Sequence, residues 1–129
     1  MTTEQSLKVI HSREPDARAD IGFILGSGLG YLAELVDGLA IDYTDLPGFP
    51  RAGVSGHNPK LVIGTLNGAR VAILGGREHY YENGRADAMR IPLEVLQALG
   101  VGTLFATNAC GSFLPEIPPG NLMLIKDHI

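Results

Sequence analysis

Val71-Ala72-Ile73-Leu74 is an apolar run with β-branched residues, and it breaks at once into Gly75-Gly76-Arg77-Glu78-His79-Tyr80-Tyr81-Glu82-Asn83-Gly84. This pattern predicts a buried strand that ends in a polar turn. The strand has a partner within reach. Apolar runs at 61–65 and 69–74 flank Leu66-Asn67-Gly68, and Asn-Gly between two such runs is the strongest short hairpin signal. Two further runs stop in the same way. Ile21-Gly22-Phe23-Ile24-Leu25 enters Gly26-Ser27-Gly28-Leu29-Gly30, and the run 101–106 enters Thr107-Asn108-Ala109-Cys110-Gly111-Ser112. Ligands of open α/β sheets gather at the carboxyl ends of strands, so these three ends are expected to converge.

Around these strands the remaining segments fall into place. Residues 1–20 read as a short helix near Ser6–Ile10 followed by a polar connector. A helix is expected from Tyr31, stopped by Asp37-Gly38, then a strand over Ile41–Asp45. The segment 46–60 is rich in proline and glycine and reads as a long binding loop. Asp87 is the expected N-cap of a helix through Leu99, with Pro92 in its first turn and Gly100 at its end. Asn121–Ile125 is expected as a last strand. Strands, a hairpin and interspersed helices imply an α/β fold with a mixed central β-sheet flanked by helices. At 129 residues the chain is one domain at most.

Composition narrows the function. The net charge is −4 and the basic residues do not cluster, which argues against nucleic acid as a partner. No apolar run approaches the roughly 18–20 residues that span a bilayer. The first residues are neither basic nor apolar, so no cleaved leader is expected. Cys110 is the single cysteine; it fits a reducing compartment and a cytoplasmic location. His11 and His128 have no metal-ligand spacing, so no metal site is assigned.

Three segments carry chemistry. The glycines of 26–30 let backbone N–H groups approach an anion, Ser27 adds a hydroxyl, and a following helix N-terminus would add positive potential. The loop is neither G-x-G-x-x-G nor a Walker A sequence, so a small phosphate-like anion fits better than NAD or ATP. A plain glycine turn is the alternative. In an extended segment Arg77, His79 and Tyr81 share one face. They supply a planar fork for two phosphate oxygens, a titratable donor, and a flat ring with a hydroxyl for a sugar. A solvated strand end with an Arg–Glu pair is the alternative there. In 107–112 the backbone N–H around Ala109 either faces a ligand or belongs to a plain tight turn, and Cys110 reads as a small buried filler. His57, in Ser55-Gly56-His57-Asn58-Pro59, reads as a loop histidine that either reaches a ligand or stays solvated.

These motifs occur in a telling order: Phe23 to Gly30, Leu46-Pro47-Gly48-Phe49-Pro50, Gly56-His57, the Gly-Arg-x-His-x-Tyr-Glu of Gly76 to Glu82, Thr107-Asn108-Ala109 with Gly111, and Asp127-His128-Ile129. Together they resemble the purine nucleoside phosphorylases of the trimeric type. The resemblance implies a phosphorylase/hydrolase-like three-layer α/β/α fold, incomplete here. Residues 21–129 would be the N-terminal half of such a domain, since family members run to roughly twice this length. It implies phosphorolysis of purine ribonucleosides in nucleoside metabolism and purine salvage. Inorganic phosphate is the co-substrate, and no cofactor is required. Ser27, Arg77, His79 and the Ala109 N–H would bind phosphate, and Tyr81 would contact ribose. His79 and His57 are the implied catalytic positions, with Glu82 and Asn108 in support. Glu78 stands where the family commonly has an aromatic residue. Cys110-Gly111-Ser112 is reminiscent of methylthioadenosine phosphorylases, which form one alternative. A non-catalytic anion-binding or oligomerising module is the other. A homo-oligomer (a trimer), or a complementary C-terminal chain, is the implied partner.

Overall fold

The hairpin built on Asn67-Gly68 organises the sheet. In the computed structural model, which describes residues 2–51 and 59–129, β3 (Lys60–Leu66) and β4 (Ala69–Leu74) pair antiparallel and close with Leu66 opposite Ala69. The two turn residues have φ of 49° and 82°, the positive values a two-residue hairpin turn needs and that Asn and Gly tolerate. β2 (Asp37–Asp42) adds antiparallel to β3. On the other side of β4 lies β1 (Ile21–Ile24), parallel to it, and β5 (Thr103–Ala106) runs parallel to β1. The order is β2-β3-β4-β1-β5. This is the expected mixed sheet, and its last three strands point their carboxyl ends the same way.

Helices cover both faces. Side chains alternate along a strand, so Ala72 and Leu74 join one apolar cluster while Val71 and Ile73 join the other. The first cluster takes in Ile10 of α1 (Thr3–Arg13) and Val95, Leu96 and Leu99 in or next to α4 (Arg90–Ala98). The second packs against Leu32 and Ala33 of α2 (Tyr31–Glu34). The helix at the N-terminus is longer than its apolar residues suggested. Thr2 and Gln5 form a capping box that starts it, and the buried Ser6 hydroxyl donates to Pro47 O at 2.6 Å, tying it to the loop after β2.

Several boundaries differ from expectation. Asp37-Gly38 opens β2 rather than closing a helix, because α2 is a single four-residue turn. Gly38 lies opposite Gly64, and a Cβ on Gly38 would sit 2.1 Å from Ile63 O. The glycine therefore serves a close strand contact. Tyr43–Asp45 is a 3-10 turn, not the end of a strand. α4 begins at Arg90, with Asp87 contributing only its carbonyl, which accepts from Arg90 N at 3.0 Å. Gly100, at φ 100°, terminates that helix. Asn121–Ile125 forms no strand; these residues are exposed and irregular, without a neighbouring strand to supply the ladder hydrogen bonds that extended backbone needs. No helix among the described residues is long and apolar enough to cross a membrane.

Candidate functional site

The three parallel strand ends meet at one edge of the sheet, and hydrogen bonds join them there. Ile24 is opposite both Leu74 and Ala106. Just beyond, Leu25 N donates to Leu74 O at 3.2 Å and Thr107 N donates to Ile24 O at 3.0 Å. The glycine loop after β1 starts in close contact with the segment after β5. Gly26 N donates to Thr107 Oγ1 at 2.8 Å, and a Cβ on Gly26 would lie 2.8 Å from Thr107 O. Only glycine fits that approach without displacement. Gly28, at φ 84°, turns the loop and Ser27 is exposed. The helix that follows is one turn, too short to carry the dipole expected from the sequence. An anion here would depend on backbone N–H groups and the Ser27 hydroxyl.

The segment after β4 is held from below and from the side. Tyr43 is 1% exposed, and its hydroxyl donates to Gly76 O at 2.7 Å. Burial pushes that phenol's ionisation well above the ordinary tyrosine range. Arg77 Nη1 donates to Thr107 O at 2.5 Å. One of the five guanidinium N–H donors is thus anchored to the end of β5, across the end of β1, leaving the others for a ligand. Glu78 accepts from Asn83 Nδ2 at 3.0 Å, and among the described residues no ion pair joins it to Arg77.

His79 and Tyr81 are brought together by a different geometry from the one expected. The extended stretch stops at His79, and α3 (Tyr80–Asn83) is a helical turn. Glu82, three residues after His79, turns its carboxylate back: Oε1 accepts from His79 N at 3.3 Å and lies 2.5 Å from His79 Nδ1. Gly84, left-handed at φ 66°, ends the turn. A local Asn/Asp/Ser-like cap was not recognised in the sequence because histidine rarely starts a helix; the Glu three residues on was the available signal. Tyr81 still meets His79, by ring stacking at 5.0 Å and 14° rather than by strand alternation, and it is 82% exposed.

The His79–Glu82 pair has chemical consequences. A carboxylate at Nδ1 sets the tautomer and orientation of the ring and leaves Nε2 as the nitrogen available to a ligand. The other carboxylate oxygen, Glu82 Oε2, is buried with no hydrogen-bond partner among the described residues. Asn108 is exposed, and its Nδ2 donates to Ala109 O at 3.2 Å, which braces the turn that presents Ala109. Cys110 is exposed rather than a buried filler. His57 lies outside the described residues. Among the described residues no group of three or more His, Cys, Asp or Glu side chains is placed to hold a metal ion. Sequence reasoning missed two residues of this edge, Tyr43 and the Thr107 hydroxyl. Both act across strands: Tyr43 sits in no recognisable local pattern, and the motif at 107–112 drew attention to the Ala109 N–H rather than to the Thr107 hydroxyl.

Comparison with known proteins agrees with this architecture. Residues 20–129 match the family model described as the phosphorylase superfamily. A Geobacillus stearothermophilus protein called purine nucleoside phosphorylase 1 is 45% identical over 98% of this chain and 46% of its own length. The Rattus norvegicus purine nucleoside phosphorylase is 43% identical over 87% of this chain and 39% of its own. The chain therefore spans less than half the length of the curated relatives it matches. Among solved structures, a purine nucleoside phosphorylase in complex with ribose-1-phosphate superposes with a TM-score of 0.78 at 37% identity, over 90% of this chain and 43% of that one. The Schistosoma mansoni purine nucleoside phosphorylase in complex with inosine gives 0.74 at 36% identity, over 92% and 43%. The mixed sheet with helices on both faces is the three-layer fold of those structures.

Proposed function

Because this chain belongs to the phosphorylase superfamily over residues 20–129, we propose that it forms the phosphate-binding wall of a purine nucleoside phosphorylase site. The reaction would convert a purine ribonucleoside and inorganic phosphate into free purine and ribose 1-phosphate. The observation that carries this reading is the hydrogen-bonded edge itself. Gly26 and Arg77 both bond to Thr107, so Ser27, Arg77, His79 and Ala109 come from three segments locked to one another. Their donors match an oxyanion. The neighbouring Tyr81 ring, stacked on His79, offers a flat surface and a hydroxyl to a ribose.

The chemistry asks little else of this wall. The bond from the sugar carbon to the purine nitrogen breaks, and the electron pair leaves with the purine. A phosphate oxygen then bonds to the sugar carbon. Positive charge builds on the sugar as it does in glycoside hydrolysis. Phosphate is already anionic, so no base is needed to create the nucleophile. Arg77, the Ser27 hydroxyl and the Ala109 N–H would hold it in line, and its charge would stabilise the sugar cation. His79, oriented by Glu82, contributes Nε2. Asn108 supports the Ala109 turn. His57 is assigned to the same site from its sequence motif. Phosphate serves as co-substrate with no organic cofactor or metal, in a cytoplasmic homo-oligomer, a trimer, whose phosphorylase unit includes residues 21–129.

The test is phosphate titration of the chain by calorimetry, with inosine and guanosine phosphorolysis measured alongside. Arg77→Ala removes charge-assisted hydrogen bonds, so phosphate affinity should fall about tenfold or more. Equal affinity in the two proteins refutes the role given to Arg77. Saturable phosphate binding without phosphorolysis would favour a binding module over a complete enzyme.

A further inference from the structure

Thr107 uses every polar group it has at the junction of the three strand ends. Its N–H donates to Ile24 O at 3.0 Å. Its hydroxyl donates to the same carbonyl at 3.1 Å and accepts from Gly26 N at 2.8 Å. Its carbonyl accepts from Arg77 Nη1 at 2.5 Å. These partners lie far apart in sequence, 81 residues for Gly26 and 30 for Arg77. The contact is also tight, since Gly26 has no room for a Cβ against Thr107 O and Asn108 Cα, at 2.8 and 3.2 Å.

From this geometry we infer that Thr107 is a positioning residue of the anion site: it sets the distance between the glycine loop that carries Ser27 and the guanidinium of Arg77. The inference rests on the proposed phosphate site. Thr107 does not touch the anion. Its hydroxyl fixes the first N–H of the loop, and its carbonyl fixes the arginine. A valine at 107 keeps the β-branched shape and loses only the hydroxyl. Gly26 N–H then faces a methyl group, while the backbone bonds to Ile24 and Arg77 remain. A serine keeps the hydroxyl and loses a methyl. A purely structural role would make both variants less stable without separating them in ligand affinity.

The experiment compares wild type, Thr107→Val and Thr107→Ser in the full chain. Amide hydrogen exchange at Gly26 is followed by NMR, and inorganic phosphate is titrated in the same samples. In the valine variant, Gly26 should exchange about tenfold faster and phosphate should bind roughly five- to tenfold more weakly, the size of one lost hydrogen bond. Serine should restore both. Unchanged Gly26 protection in the valine variant, or unchanged phosphate affinity, overturns the inference. A wild-type chain that binds no phosphate refutes the proposed function instead, and the positioning role with it. If the valine variant does not fold, Gly26→Ala replaces it. The added methyl must push the loop off Thr107 and weaken phosphate by a similar factor, and an unaltered affinity again overturns the inference.

Discussion

Replacing Tyr43 by phenylalanine removes one oxygen and leaves the ring in its packing against Phe49, 5.0 Å away edge to face. The lost hydroxyl is buried and bonded to Gly76 O at 2.7 Å. Gly76 is itself buried, so its carbonyl is left without that donor. An unsatisfied buried polar group costs about 1–3 kcal/mol. With an unfolding entropy of about 2.1 cal/mol/K per residue over 129 residues, that is a fall in Tm of roughly 4–11 °C. The pH dependence gives an independent check. Burial raises the folded phenol's pKa above its unfolded value of about 10. Above that pH the unfolded chain has released the proton while the folded one keeps it. The tyrosine's contribution is therefore complete below about pH 10 and is lost at about 1.4 kcal/mol per pH unit as the pH rises. Phenylalanine has no such slope. Urea unfolding followed by circular dichroism should show wild type ahead by about 1–3 kcal/mol at pH 7. The lead should shrink by about 1 kcal/mol between pH 10 and 11. A difference below about 0.5 kcal/mol at pH 7, or one that stays constant through pH 11, refutes the assignment.

Two further outcomes follow from the geometry. Gly48 has φ 83°, and a Cβ there would lie 2.4 Å from Ile91 Cδ1; Gly48→Ala should cost about 2–4 kcal/mol in denaturant unfolding, and a loss under about 1 kcal/mol would contradict the stated strain. Glu82→Gln keeps the size of the side chain but removes the carboxylate beside His79 Nδ1. Phosphate affinity should fall about three- to tenfold with the fold intact, and an unchanged titration would show that Glu82 does not orient His79 for the anion.

Much of this edge could be read locally. The runs 21–25, 69–74 and 101–106 announce strands by their apolar, β-branched residues, and each ends where glycine or small polar residues begin. Asn67-Gly68 dictated a hairpin, and the hairpin formed there. Local reading failed where one pattern serves two structures. Asp37-Gly38 suits a helix stop, but here the glycine is spent on a close approach to Gly64. Arg77-x-His79-x-Tyr81 suits a strand face, but Glu82 and Gly84 impose a helical turn on its second half. The run 121–125 is apolar enough for a strand, yet a strand exists only when another pairs with it.

The chain's own residue order was enough to specify the turns, the capping pairs and the kinds of chemistry on offer: a guanidinium, an imidazole, hydroxyls and glycine-exposed N–H groups. Their meeting was not written in any local stretch. It depends on β1 inserting between β4 and β5, in parallel and in a register that sets Ile24 opposite both Leu74 and Ala106. Parallel pairing joins segments distant in sequence, and its register is chosen by burial on both faces of the sheet at once. That long-range choice places the Thr107 hydroxyl against Gly26 and its carbonyl against Arg77, and so turns three separate strand ends into one edge that can hold an anion.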